Sequence, residues 1–304
     1  MGTKYKMTDD VIKVNGHTLH RIEALIDIPA IGVIAGDKGG FIESEENLSQ
    51  EGDCWVGDNA QVFDKAQVSG NAWVFENARV YDSAQVFGNA EVSDNAWVIH
   101  NAHVFGNAVV FENAHVCGNA QVYDNAHVFW HACIYGDAVV SGMARVYYNA
   151  EVFGAAQVYE NAQVYENAQV YDNALVFSDA HIYGDAVVSG NAEVSGNAKV
   201  TDNVWVTDNV WVSGNAQVSG NAWVTDNAVV SGNAWVSGNA WVSGAAHVYD
   251  DACVYGNTEV SGNARVSGNA DVGGNAEVYG NANVITDVGG KTKVHDNAQV
   301  HSGI

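Results

Sequence analysis

The chain has 304 residues, with 36 acidic against 12 basic side chains and a formal net charge of −24. That balance repels nucleic acid and anionic membranes and favours solubility through self-repulsion. With 32 glycines and one proline, Pro29, the composition fits strands closed by non-proline turns rather than a disordered Pro/Gly linker, and no apolar run approaches the roughly 20 residues that span a bilayer.

The chain begins Met-Gly-Thr-Lys-Tyr-Lys with no apolar core behind it, so no signal peptide is expected. Residues 10–28 then read Val11-Ile12-Lys13-Val14, Asn15-Gly16, Thr18-Leu19-His20-Arg21-Ile22. Asn-Gly between apolar alternations predicts a β-hairpin with a type I′ turn. Such a hairpin would cap a sheet edge that otherwise recruits other chains. Residues 1–52 are assigned to this cap and to a lead-in.

From Val56 to Val284, thirty-nine valines or isoleucines fall six positions apart without an insertion, with isoleucine only at 134 and 182. A period this strict fixes the architecture. With valine as position 1, position 5 is small (Ala60, Ala66, Ala72 and onward), with Val204, Val210 and Thr258 as exceptions. Strand side chains alternate, so positions 5 and 1 point inward and positions 6 and 2 outward. Positions 3 and 4 are Gly/Asp/Glu and Asn/Asp, residues that make turns and tolerate positive φ. Each hexad is thus one flat strand and one corner. The solenoid is placed at 53–284. The phase slips at Ile285–Val288 and resumes at Val294 and Val300, so 285–304 is read as a frayed last turn and cap. Cys54, Cys117, Cys133 and Cys253 show no metal spacing. Cys117 and Cys133 would sit on neighbouring coils about 8 Å apart, too far for a disulfide, so reduced thiols in a cytoplasmic protein are expected.

Six residues per side with an inward valine and alanine resembles the hexapeptide repeat of left-handed parallel β-helices. The resemblance implies an all-β, triangular, left-handed solenoid with three hexads in each 18-residue coil. Thirteen coils at a spacing of about 4.8 Å would make a rod roughly 60 Å long. Gly39-Gly40-Phe41-Ile42-Glu43-Ser44 with Asn47-Leu48-Ser49-Gln50-Glu51-Gly52-Asp53-Cys54-Trp55-Val56 is similar to the lead-in of bacterial and prophage hexapeptide-repeat proteins described as acyltransferase-like or polymer-forming.

With an 18-residue coil, residues 18 apart stack into ladders. Phe111, Phe129, Tyr147, Tyr165 and Tyr183 share one outward file, and Trp205, Trp223 and Trp241 another. Such files either stiffen a sheet by ring stacking or form an association face. Asp58, Glu76, Asp94 and Glu112 line one corner, as solvated carboxylates or as a cation site. Asn203, Asn221, Asn239, Asn257 and Asn275 line another, where stacked amides bond along the axis.

Hexapeptide acyltransferases keep a histidine base in a cleft between subunits, so the resemblance makes His103, His115 and His127 the candidate catalytic residues. The hexad phase puts them on different faces, and no loop interrupts 56–284 to orient a base. The leading reading is therefore a non-catalytic structural or interaction protein, a rigid acidic rod that uses its aromatic ladders for self-association or for binding a protein partner. No cofactor, nucleic acid or membrane is expected, and a homo-oligomer is. An acyl-CoA-dependent acyltransferase is the first alternative. A phage-encoded anti-defence protein or DNA mimic is the second, opposed by the near-neutral stretch 211–247, where Asp226 is the one charged residue.

Overall fold

The structure, a computed structural model, describes residues 3–301. It divides into two compact units, Met1–Asn149 and Ala150–Ile304, and the division falls inside the hexad run, where the sequence marks no boundary. Each unit is an all-β parallel solenoid. Among the described residues the helical content is two single 3₁₀ turns, Pro29–Ile31 and Glu45–Asn47, both near the start of the first unit.

The first unit opens on the expected hairpin. Strands β1 (Tyr5–Val14) and β2 (His17–Ala24) pair antiparallel, and Asn15 and Gly16 take φ of 50° and 94° between them, as a two-residue I′ turn requires. Strand β3 (Lys38–Ile42) pairs antiparallel with β2 and parallel with the first face, Phe41 opposite Gln61 and Ile42 opposite Val62. Leu48 bridges in parallel to Val68, so the parallel register already begins within the lead-in. Leu19 and Phe41 pack on Phe63 as a small core under the hairpin, and the Arg21 guanidinium lies 4.1 Å over the Phe41 ring.

Beyond the lead-in, each hexad forms a two-residue strand of positions 6 and 1, paired in parallel with the residue 18 on. Trp73–Val74 meets Glu91–Val92, and in the second unit Trp223–Val224 meets Trp241–Val242. Three sheets result, one per hexad of the coil. The position-1 valines and position-5 alanines are closed to solvent, a dry column of small branched side chains. Thr258, which replaces an alanine, donates its hydroxyl to the Tyr255 carbonyl at 2.7 Å and so carries no unmet polar group inward.

The backbone bonds repeat as strictly as the sequence. In one hexad, Trp73 N donates to Ala90 O at 2.9 Å, Phe75 N to Val92 O at 3.0 Å and Asn77 N to Asp94 O at 2.8 Å, while Ala78 N turns back to Phe75 O at 3.3 Å. Position 3 alone takes the left-handed conformation, whether Gly, as at Gly88 (φ 73°), or Asp, as at Asp94 (φ 56°). Position 4 does not share it. Glycine suits position 3 because the corner backbones lie close: a Cβ on Gly106 would meet Asp124 N at 2.8 Å.

The C-terminal stretch is not frayed. Val288, Val294 and Val300 pair in parallel beneath Val272, Val278 and Val284, so a further coil forms with a register of 16 residues. The two residues missing from the corner at 285–288 shorten that turn while the strands keep their ladder. Residues 302–304 of the expected cap, and residues 1–2 of the first segment, lie outside the described residues. No disulfide joins the four cysteines, and no helix among the described residues is long and apolar enough to cross a membrane.

The column makes opposite demands on neighbouring positions. Val224→Asp places a charge in it without a counter-ion, a lesion of the class that exceeds about 4 kcal/mol. Gln217→Glu changes only an outward side chain and is expected to shift the melting temperature by no more than a few degrees. Thermal melts of the two variants check the hexad phase: equal tolerance would show it to be misassigned.

Candidate functional site

Two ladders occupy the corners. At position 4 the amides chain together: Asn71 donates to Asn89 Oδ1 at 3.0 Å, Asn89 to Asn107 at 2.9 Å and Asn107 to Asn125 at 3.0 Å. In the second unit the same bonds link Asn203, Asn221, Asn239, Asn257 and Asn275 at 2.9–3.1 Å. At position 3 an acidic side chain accepts the backbone N–H of the next coil's corner. Asp58 Oδ2 takes Glu76 N at 3.1 Å, Asp94 Oδ2 takes Glu112 N at 3.0 Å, and in the second unit Asp202 Oδ2 takes Gly220 N at 2.9 Å. Of the four carboxylates considered for a cation, Asp58 and Asp94 thus have a local task, satisfying a corner donor that the sheet leaves over. Their mutual repulsion registers at Glu76, whose carboxyl is pushed up by its hydrogen bond to the Asp94 carboxylate and by the charges of Asp94 and Asp58.

One group of possible ligand atoms lies elsewhere, and the sequence reading missed it. His17 at the start of β2, Glu43 after β3 and Asp64 at a corner bring ligand atoms within 4.8 Å of one another. His17 Nδ1 stands 2.9 Å from Glu43 Oε1 and Nε2 stands 3.6 Å from Asp64 Oδ1. Glu43 Oε2 also accepts Asp64 N at 2.8 Å, so both imidazole nitrogens face carboxylates that are themselves tied together. Asn47, fully buried beside them, donates to Asp64 O at 3.0 Å and Ala66 O at 2.9 Å. This arrangement pins the hairpin to the first coils.

The three candidate histidines are not brought together. His103, His115 and His127 sit on three different sheets, opposite Gln85 and Gln121, Trp97 and Cys133, and Val109 and Arg145 respectively. His103 meets the Phe87 ring edge-on at 6.4 Å. His115 stacks on Trp97 at 5.1 Å in an open groove of about 310 Å³ shared with Arg79 and three asparagines. Burial holds the His115 and His127 imidazoles below their ordinary value, aided by His131 and Arg145 respectively. Neither has the carboxylate partner that would orient a general base.

The aromatic files stack as expected within each unit. Phe111, Phe129 and Tyr147 are spaced at 4.9 Å with planes 8° and 2° apart, and Tyr165 and Tyr183 at 4.9 Å and 3°. Their faces are turned to one another and they are only half-exposed. Other rings stand further out. Trp130 and Tyr148 occupy corner position 3 with φ of 63° and 60°, 5.2 Å apart and 43 % and 42 % exposed. Tyr148 lies 5.3 Å from Tyr147, so Phe129, Trp130, Tyr147 and Tyr148 form one cluster of four rings. The signal was in the sequence: these are the only tryptophan and tyrosine at position 3, and they continue the file of Asp58, Glu76, Asp94 and Glu112. In the second unit Trp205, Trp223 and Trp241 pair in register on one sheet.

The sequence pattern of the YdcK beta solenoid repeat matches residues 66–82, 168–182 and 216–232. The chain is a β-solenoid repeat protein. Among 19 matching chains of solved structure is a UDP-N-acetylglucosamine acyltransferase from Campylobacter jejuni, 17 % identical, covering 56 % of this chain and 67 % of that one with a TM-score of 0.32. No curated protein matches the chain.

The cap pin of this solenoid carries a defined pH dependence. The hydrogen bond to Glu43 raises the His17 pKa against the opposing effect of desolvation, with the charges of Asp64 and Glu43 adding to the rise, and the same bond lowers that of Glu43. A raised histidine value means that its share of the stability is complete below the unfolded value, about 6.5, and is lost as pH rises through the folded value. The lowered Glu43 value works oppositely, its share being lost as pH falls through it. The pin is therefore strongest between the two. NMR titration should place the His17 midpoint above 6.5, and Glu43→Gln should bring it down. A wild-type midpoint at or below 6.5 would show that the pin does not form.

Proposed function

We propose that this protein is a non-catalytic interaction protein that associates with copies of itself through its aromatic surface. The observation that carries the reading is the ring pair at the corners of 130 and 148. A bulky residue in the left-handed conformation costs roughly 1–2 kcal/mol, and neither ring can accept the next corner's N–H as an acidic side chain does. Trp130 and Tyr148 thus weaken the fold locally while presenting apolar area to water, a combination that points to use outside the fold. The adjoining Phe111–Phe129–Tyr147 stack extends the surface along the sheet. The chain's negative charge opposes the approach of a second copy, and salt screens that repulsion to a range of about 8 Å at physiological ionic strength. The separate faces of His103, His115 and His127 and the absence of a carboxylate partner for each speak against acyl transfer.

Light scattering across a salt series is expected to show a homo-oligomer whose population rises with salt. The double variant Trp130→Gly with Tyr148→Gly should shift it to monomer without lowering the melting temperature, because glycine relieves both corners. A wild-type protein that is monomeric at every salt concentration overturns the reading. Calorimetry with acetyl-CoA should detect no binding, in the parent or in the His103→Ala, His115→Ala and His127→Ala variants. Micromolar affinity that one of these substitutions abolishes would establish an acyltransferase instead.

A further inference from the structure

Five tryptophans of the second unit, at 205, 211, 223, 235 and 241, are between 40 and 51 % exposed. Three of them fall in one file. Trp205 and Trp223 stack at 5.5 Å with planes 13° apart. Trp241 is held differently, its indole N–H donating to Thr225 Oγ1 at 3.3 Å. Trp223 and Trp241, together with Asn221, Asn239 and Ala240, line an open apolar groove of about 460 Å³.

The polar groups beside the groove belong to the amide ladder. Asn221 accepts from Asn203 at 2.9 Å and donates to Asn239 at 3.1 Å, and Asn239 donates in turn to Asn257 at 2.9 Å. A primary amide has two N–H donors and two lone pairs. After the ladder bonds, each of these side chains keeps one donor and one acceptor, and both residues are exposed. Charge is nearly absent. Residues 203–247 contain Asp208 and Asp226 and no lysine or arginine, and those two carboxylates accept corner N–H groups, from Asp226 N at 3.4 Å and Gly244 N at 2.9 Å.

We propose that this face binds a neutral, linear, β-linked glycan, with one pyranose ring seated between Trp223 and Trp241. The inference goes beyond the self-association reading above and names a ligand class for a second surface. An indole face carries the negative side of the ring quadrupole, which suits the positive C–H face of a sugar. The hydroxyls at the sugar's rim need the donors and acceptors that Asn221 and Asn239 retain. A charged ligand would find no counter-charge in the groove, and nucleic acid would meet the repulsion of a strongly acidic chain. Trp205 and Trp223 are already stacked on each other at 5.5 Å, so the groove takes one sugar between Trp223 and Trp241, and the extended backbone of a β-linked chain lets the neighbouring sugars run past the amides of Asn221 and Asn239. The Thr225 bond fixes the Trp241 ring before the ligand arrives, which lowers the ordering cost of binding.

The test is a tryptophan-fluorescence titration of the full chain with two soluble probes, cellohexaose and N-acetylchitohexaose. At least one should shift the emission, and shorter oligosaccharides should bind progressively more weakly. Trp223→Ala and Trp241→Ala should each weaken binding roughly tenfold, the loss of one ring stack. Trp211→Ala and Trp235→Ala, on the other two sheets, should leave it unchanged. Thr225→Val should weaken binding while retaining both rings. Failure of both hexamers to bind at millimolar concentration, or undiminished affinity in Trp223→Ala and Trp241→Ala, overturns the proposal. Light scattering on the same samples separates the two readings. A protein that self-associates but binds neither sugar retains the interaction reading and loses the glycan. One that binds sugar through Trp223 and Trp241 yet stays monomeric retains the glycan and loses the self-association.

Discussion

The register of 18 residues between neighbouring coils is the constraint on which the remaining features depend. Because Val74 lies against Val92, and Val224 against Val242, whatever occupies one position has the same position of the next coil as its nearest neighbour, one strand spacing away. A residue type is tolerated only if it can stand beside its own kind. Valine and alanine do so by filling a dry column. Asparagine does so because its amide is both donor and acceptor, and so continues itself without limit. Carboxylates cannot continue themselves. At the corners several are directed to a backbone N–H of the next coil, as Asp94 is to Glu112, and the Asp94 carboxylate pushes the neighbouring Glu76 carboxyl up.

The same rule separates two kinds of aromatic surface. The rings of Phe111, Phe129 and Tyr147 face one another, so much of their apolar area is already covered by the stack. Trp130 and Tyr148 stand where backbone geometry favours glycine, and the Trp241 indole N–H is tied to Thr225. These departures from the repeat carry the functional readings, whereas residues that obey it are explained by the fold. A repeat protein has few places to be irregular, which makes each irregularity informative.

Most of the fold could be read from the sequence because the period is unbroken. The inward valines and alanines, the Asn15-Gly16 turn and the asparagine ladder all follow from residue type and spacing. The corner acids were harder: an aspartate in a turn looks solvated, and only the left-handed φ at position 3 shows that its oxygens reach the next coil. Two members of the pin, His17 and Glu43, lie outside the period, on segments that reach the Asp64 corner through the antiparallel cap, so no spacing rule could find it. The C-terminal slip was visible as a lost beat, but whether two missing residues end a ladder or shorten a corner depends on backbone bonds that residue identity does not encode.

The hairpin cap also bears on how the chain can fold. A parallel strand here finds its partner 18 residues away, so a coil must lose the entropy of closing a loop before its first ladder bond forms. The β1–β2 hairpin closes over two residues and can form early. Through β3 it presents Phe41 and Ile42 as a ready edge for Gln61 and Val62. Each coil laid on that edge becomes the template for the next, so assembly resembles the growth of a crystal from a seed. If growth starts at that edge, the order of folding runs with the order of synthesis.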